Sequence, residues 1–186
     1  KQKRPGDSAP RVLILKGTVM GHHLYLYFSG TGNTKHVIDR LAGHDKDNSP
    51  VVLSIESDVD FDALIKEADR IVIGYPIYES MLPVIMDRFL DDHREAFKGK
   101  EIITVVTQMM FSGDGGALAW RKLGKNHVKL LGSVHVDMPN NITDVRILPA
   151  KTVGEMRSKV EKADKKVDRI ADRMKKGDRI RHGIRW

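Results

Sequence analysis

Apolar positions along the chain follow two rhythms. Short continuous apolar runs at 24–28, 51–55, 71–75 and 101–107, with another inside 128–136, read as strands. Between them apolar residues recur at helical steps. Val37, Ile38, Leu41 and Ala42 form one such stripe, and Phe61, Leu64, Ile65 and Ala68, behind a candidate N-cap at Asp60, form another. Val84, Ile85, Phe89 and Leu90 follow Pro83, and Leu118, Trp120 and Leu123 belong to a helix starting near Gly116. The longest pattern, from about Pro149 to Lys176, carries Val153, Met156, Val160, Ala163, Val167, Ile170 and Met174. The run at 71–75 has no polar alternation, which is the composition of a strand covered on both faces. Five alternating strand–helix units predict an α/β fold, a parallel sheet with helices on both faces and right-handed crossovers.

A chain of 186 residues supports one well-cored domain. It has no cysteine, which excludes disulfides, thiolate metal sites and cysteine-ligated iron–sulfur clusters within this sequence. No apolar run approaches the ~20 residues of a membrane span, so no span is expected and the cytoplasm is the simplest compartment. Residues 1–19 are basic and then turn-forming, and read as an N-terminal extension, either vector-derived or a true arm. The domain proper is placed at 20–180, with a C-terminal tail at 181–186.

The chemistry concentrates where the first strand gives way to the first helix. Leu24-Tyr25-Leu26-Tyr27-Phe28 breaks into Ser29-Gly30-Thr31-Gly32-Asn33-Thr34 and then into Val37-Ile38. A sharp strand-to-helix turn leaves backbone N–H groups exposed at the positive end of the helix dipole. Two glycines let the backbone approach a ligand, and four hydroxyl or amide side chains add neutral donors. This is the chemistry of a phosphate cradle. It is not a Walker A loop, which needs lysine after the glycine, nor a dinucleotide fingerprint, since Lys35 stands where a third glycine belongs.

Ser-Gly-Thr-Gly-Asn-Thr directly after Tyr-Phe resembles the phosphate loop of the flavodoxins. The likeness spans about residues 22–175. With Gly74-Tyr75-Pro76-Ile77-Tyr78 and Phe111-Ser112-Gly113-Asp114-Gly115-Gly116, it comes nearest to flavodoxin domains often fused to a two-cluster ferredoxin domain, a part absent from this sequence. The resemblance implies a doubly wound five-stranded sheet of order 2-1-3-4-5 and flavin mononucleotide (FMN) as cofactor. It carries the phosphate role onto Ser29, Gly30, Thr31, Gly32, Asn33 and Thr34. The ring-binding role falls on Pro76, Ile77 and Tyr78 after strand three, and on Met109, Met110, Phe111, Ser112, Gly113, Asp114 and Gly115 after strand four. Either Tyr78 or Phe111 is implied to stack on the ring, and Asp114 stands equally as a flavin contact or as an N-cap.

Familiar flavodoxins are acidic, whereas this chain carries a net charge of +7 and a pI near 9.6. Much of the excess lies in 157–185, partly offset by helical pairs such as Glu161–Lys165 and Asp168–Asp172–Lys176. The segment reads first as a solvated outer helix face, and the alternative is a docking surface for an acidic partner such as a ferredoxin. Nucleic-acid binding is not expected, because the basic segment lacks aromatic interleaving or a known module. His22-His23 has no third ligand at metal spacing, and His135 alternates with Val134 and Val136 as a sheet-facing residue. No Gly-x-Ser-x-Gly elbow occurs. The expected function is FMN-dependent electron transfer with a protein partner. The alternatives are a small FMN-dependent oxidoreductase acting on a quinone or similar acceptor, and a binding module without redox turnover. Whether the chain is an enzyme stays open.

Overall fold

The computed structural model describes residues 22–109, 113–139, 152–178 and 180–181. Its strands are β1 (His23–Tyr27), β2 (Val51–Ser54), β3 (Arg70–Pro76), β4 (Glu101–Gln108), β5 (Lys129–Asp137) and β6 (Ile180–Arg181). The helices are α1 (Asn33–His44), α2 (Phe61–Glu67), α3 (Val84–Asp92), α4 (Leu118–Leu123) and α5 (Val153–Lys175). All neighbouring strands run parallel, in the order β2-β1-β3-β4-β5-β6. The doubly wound order 2-1-3-4-5 is therefore present, and the two-residue β6 extends its edge beside Gly132 and Ser133.

Two apolar layers flank the sheet. Leu24, Leu26, Ile71, Ile73 and Tyr75 point into a core closed by α2, α3 and α4. The alternate residues Tyr25 and Val72 point into a second core, closed by Val37, Ile38 and Leu41 of α1 and Ala163, Val167 and Ile170 of α5. Burial on both sides explains why 71–75 carries no polar alternation.

A bulge sets the register at the far edge. Ile102 pairs with Leu130 but Ile103 pairs with Gly132, so Leu131 is an extra residue in β5. The strand's later residues change face at that point. Val134 and Val136 thereby join α5's core, and Ser133 and His135 face the opposite side, toward the turn before α4.

Three details differ from the sequence expectations. Val84 and Ile85 are exposed, because Met86, Phe89 and Leu90 are the residues α3 turns inward. Asp168 does not pair along its own helix but reaches across to Arg40 and His44 of α1. The start of the last helix near Pro149 lies outside the described residues; α5 begins at Val153 behind a capping box, in which Thr152 and Glu155 satisfy each other's backbone N–H.

Candidate functional site

The turn from β1 to α1 is built so that side chains brace it and backbone donors stay available. Phe28 N–H donates to Gly74 O, which fixes the strand end. Gly32 is the N-cap of α1 in the left-handed region at φ 86°, with no side chain capping the helix. The Ser29 hydroxyl accepts from Lys35 N–H at 3.2 Å, the Asn33 amide donates to Pro139 O at 3.1 Å, and the hydroxyls of Thr34 and Thr107 lie 2.8 Å apart. The main-chain N–H groups of Gly30 to Thr34 donate to no acceptor among the described residues. They stand at the positive end of a twelve-residue helix. Unpaired N–H groups in that position form an anion cradle, because the helix dipole and the donors act on the same atom.

A cleft of about 170 Å³ opens beside this turn at the carboxyl ends of the strands. Ser29, Gly30, Thr31, Asn33 and Thr34 form one wall, and Pro76, Ile77 and Tyr78 after β3 form a second. Thr107, Gln108 and Met109 close the floor from β4, and Met138 and Pro139 enter from β5. None of these residues carries a formal charge, so the cleft's electrostatics are set by backbone dipoles. The Tyr78 hydroxyl lies over Gly30, where a Cβ would meet it at 3.2 Å. The cleft is smaller than the roughly 300–1,000 Å³ of typical ligand sites. Tyr78 at its edge is 47% exposed. Tyr78 opens a tight turn closed by Tyr78 N–H to Met81 O and Met81 N–H to Tyr78 O, with Glu79 and Ser80 both at positive φ.

Of the segment expected after strand four, Met109 lines the cleft, while Met110, Phe111 and Ser112 lie outside the described residues. Gly113, Asp114 and Gly115 are not among the described lining residues. The Asp114 side chain makes no cap hydrogen bond and pairs with Arg121. The glycines behind it are pinned from below. Tyr75 O–H donates to Gly115 O at 2.9 Å, Thr104 O–H donates to Gly116 O at 2.7 Å, and His135 Nε2 accepts from Gly116 N–H at 3.1 Å. His135 Nε2 thus carries no proton in this arrangement. Burial pushes the Tyr75 phenol far above its usual range, so it stays a neutral donor.

Thr107, Gln108, Met138 and Pro139 were not among the expected site residues. The first two close a recognisable strand, and a reading of strand ends could have included them. Met138 and Pro139 depend on where the bulged β5 stops. Two further ties reach the cleft from outside. Lys159 of α5 donates to Met109 O at 2.5 Å, and Gln108 donates to Asp137 at 2.7 Å. His23, considered as a metal ligand, instead meets Asp45 at 2.5 Å, where the Tyr25 hydroxyl also donates. Among the described residues no helix is long and apolar enough to cross a membrane.

Comparison with solved structures finds the same fold at low identity. The two-electron reduced flavodoxin of Megasphaera elsdenii superposes with a TM-score of 0.56 at 22% identity, over 77% of this chain and 98% of that one. Oxidised flavodoxin 2 of Bacillus cereus gives 0.57 at 17%, over 82% and 99%. Rubredoxin oxygen:oxidoreductase from Desulfovibrio gigas gives 0.56 at 13%, over 84% of this chain and 36% of that larger one. Comparison with curated protein sequences gives no match. A family model for the flavodoxin domain matches residues 24–139, a span that runs from the first strand through the cradle and the cleft floor to Pro139. On that match, the chain belongs to the flavodoxin domain family.

Proposed function

We propose that the chain binds FMN non-covalently in this cleft and exchanges electrons with a protein partner, an acidic ferredoxin being the first candidate. The observation that carries this reading is the set of unpaired N–H groups at Gly30–Thr34, beside an uncharged cleft at the carboxyl ends of β1, β3 and β4. A phosphate monoester fits the cradle, since its negative charge meets donors and a helix dipole with no carboxylate among the described lining residues. Tyr78 and Ile77 on one side and Met109 on the other would flank a planar ring. The flavin supplies the redox chemistry, and the chain's residues bind it, orient it and limit water at its edges. Thr34 and Thr107 hold the cradle to β4, and Tyr75, Thr104 and His135 hold the glycine segment still.

A second reading, a small FMN-dependent oxidoreductase, is favoured by one feature. Tyr78 at the cleft, with Met81 across its tight turn, presents exposed apolar surface against which a flat acceptor could stack. The test is the visible spectrum of the purified protein, flavin identification after denaturation, and stepwise anaerobic reduction. A yellow protein releasing FMN and reduced in two resolved one-electron stages supports the carrier. Direct two-electron reduction, with turnover of NAD(P)H and a quinone, supports the oxidoreductase. A colourless protein that takes up no added FMN sinks both.

A further inference from the structure

Two carboxylates of helix α5 are taken up by a neighbouring helix. Asp164 and Asp168 face α1, where Arg40 binds both, His36 reaches Asp164 and His44 reaches Asp168. The spacing of four residues on one helix meets the same spacing on the other. These two carboxylates are consumed by a neighbouring helix, so they do not neutralise the lysines of their own. On the other flank Lys159, Lys162, Lys166 and Arg169 share one stripe. Glu155 beside them is held in the Thr152 cap, and Asp137 accepts from Gln108. Lys162 and Lys166 make no ion pair or hydrogen bond among the described residues.

The stripe starts at the cleft. Lys159 reaches Met109 O, and Asp137 holds Gln108, and both Met109 and Gln108 line the cleft floor. We propose that this flank of α5 is the docking surface for an acidic electron-transfer protein, which it guides to the cleft end of the sheet. The proposal rests on the FMN reading of the cleft. Four basic side chains outnumber the two carboxylates, Glu155 and Asp137, that share the stripe. The excess ammonium charge at Lys162 and Lys166 raises the encounter rate with an oppositely charged partner, a gain that salt screens. A nucleic acid would call for stacking surfaces, and no aromatic residue lies among the described residues of this stripe.

The test uses the FMN-loaded protein, a reduced and strongly acidic ferredoxin as donor, and stopped-flow rates from low to high salt. Lys162→Glu/Lys166→Glu reverses the stripe. Lys46→Glu/Lys98→Glu makes the same change in net charge at the opposite end of the strands. The stripe variant is expected to transfer electrons about tenfold more slowly at low salt and to lose the salt dependence. The distal variant is expected to stay within about twofold of the parent. Equal losses in both variants, or none in the stripe variant while all three proteins hold FMN and accept electrons from dithionite, would overturn the docking surface alone. A parent protein that takes up no FMN would overturn the cleft reading, and the docking surface with it.

Discussion

Thr34 and Thr107 place their hydroxyls 2.8 Å apart beneath the cleft, at positions 1% and 3% exposed. Thr34 lies in the first turn of α1 and Thr107 next to the end of β4, so an O–H···O bond joins the β1–α1 turn to the strand that ends at Gln108. Thr107→Val keeps the shape but strands the Thr34 hydroxyl in a buried site, an expected loss of about 1–2 kcal/mol. The double variant Thr34→Val/Thr107→Val removes both partners and is expected to recover much of it. Urea unfolding of the parent, Thr34→Val, Thr107→Val and the double variant measures the coupling; strictly additive losses would show that the bond contributes nothing.

Thr31→Glu brings a carboxylate to the unpaired N–H groups of the β1–α1 turn. It is expected to abolish FMN uptake, because like charges compete for the same donors and the longer side chain occupies the cradle. Gly32→Ala acts on the same turn through the backbone. At φ 86° an alanine costs about 1–2 kcal/mol, which should appear as lost stability and weakened uptake. Titration with FMN, followed by absorbance, reads both, and wild-type affinity in Thr31→Glu would remove the cradle assignment.

The strands were legible because a sheet covered on both faces leaves continuous apolar runs, as at Ile71–Tyr75. The sharp turn from β1 to α1 was legible because six small residues directly after such a run break the strand. Elsewhere local pattern misled. Val84 and Ile85 read as core, yet they are 66% and 39% exposed, since the inward stripe of α3 is Met86, Phe89 and Leu90. Spacing of four along α5 suggested pairs within the helix, but Asp168 has a better partner in Arg40, a guanidinium that binds it through two nitrogens from a different helix. Met138 and Pro139 at the cleft depend on the bulge at Leu131, a tertiary choice that no local period reports.

Gly116 has no room for a side chain. An added Cβ would stand 1.7 Å from Ser133 Oγ and 2.7 Å from His135 Nε2, both on a buried strand. Gly116→Ala must therefore displace the segment that Tyr75, Thr104 and His135 hold in place. A loss of about 2–3 kcal/mol is expected, the range of an overpacked core. Ser133→Ala in the same background removes the nearest clash and should recover part of the loss. Thermal unfolding decides it, and a Gly116→Ala protein as stable as the parent would refute the packing described.

Acid should loosen the α1–α5 interface through Asp168. Arg40 approaches this carboxylate at 2.7 and 2.8 Å and His44 at 2.8 Å; the Arg40 hydrogen bonds outweigh the opposing desolvation and hold its pKa at about 2. A carboxyl with a folded value below its ordinary ~3.9 binds fewer protons folded than unfolded. Its stabilisation is therefore full above about pH 4 and is lost as the pH falls toward 2. The side chain is 35% exposed, so solvent screening limits the effect to about 1 kcal/mol or less. Urea unfolding at pH 6, 4 and 2.5 should show the parent losing stability more steeply than Asp168→Asn, with the two converging at the acid end. Parallel profiles would mean that the surface ladder adds nothing to the packing of Val37, Ile38 and Leu41 against Ala163, Val167 and Ile170, and that the apolar seam alone joins the helices.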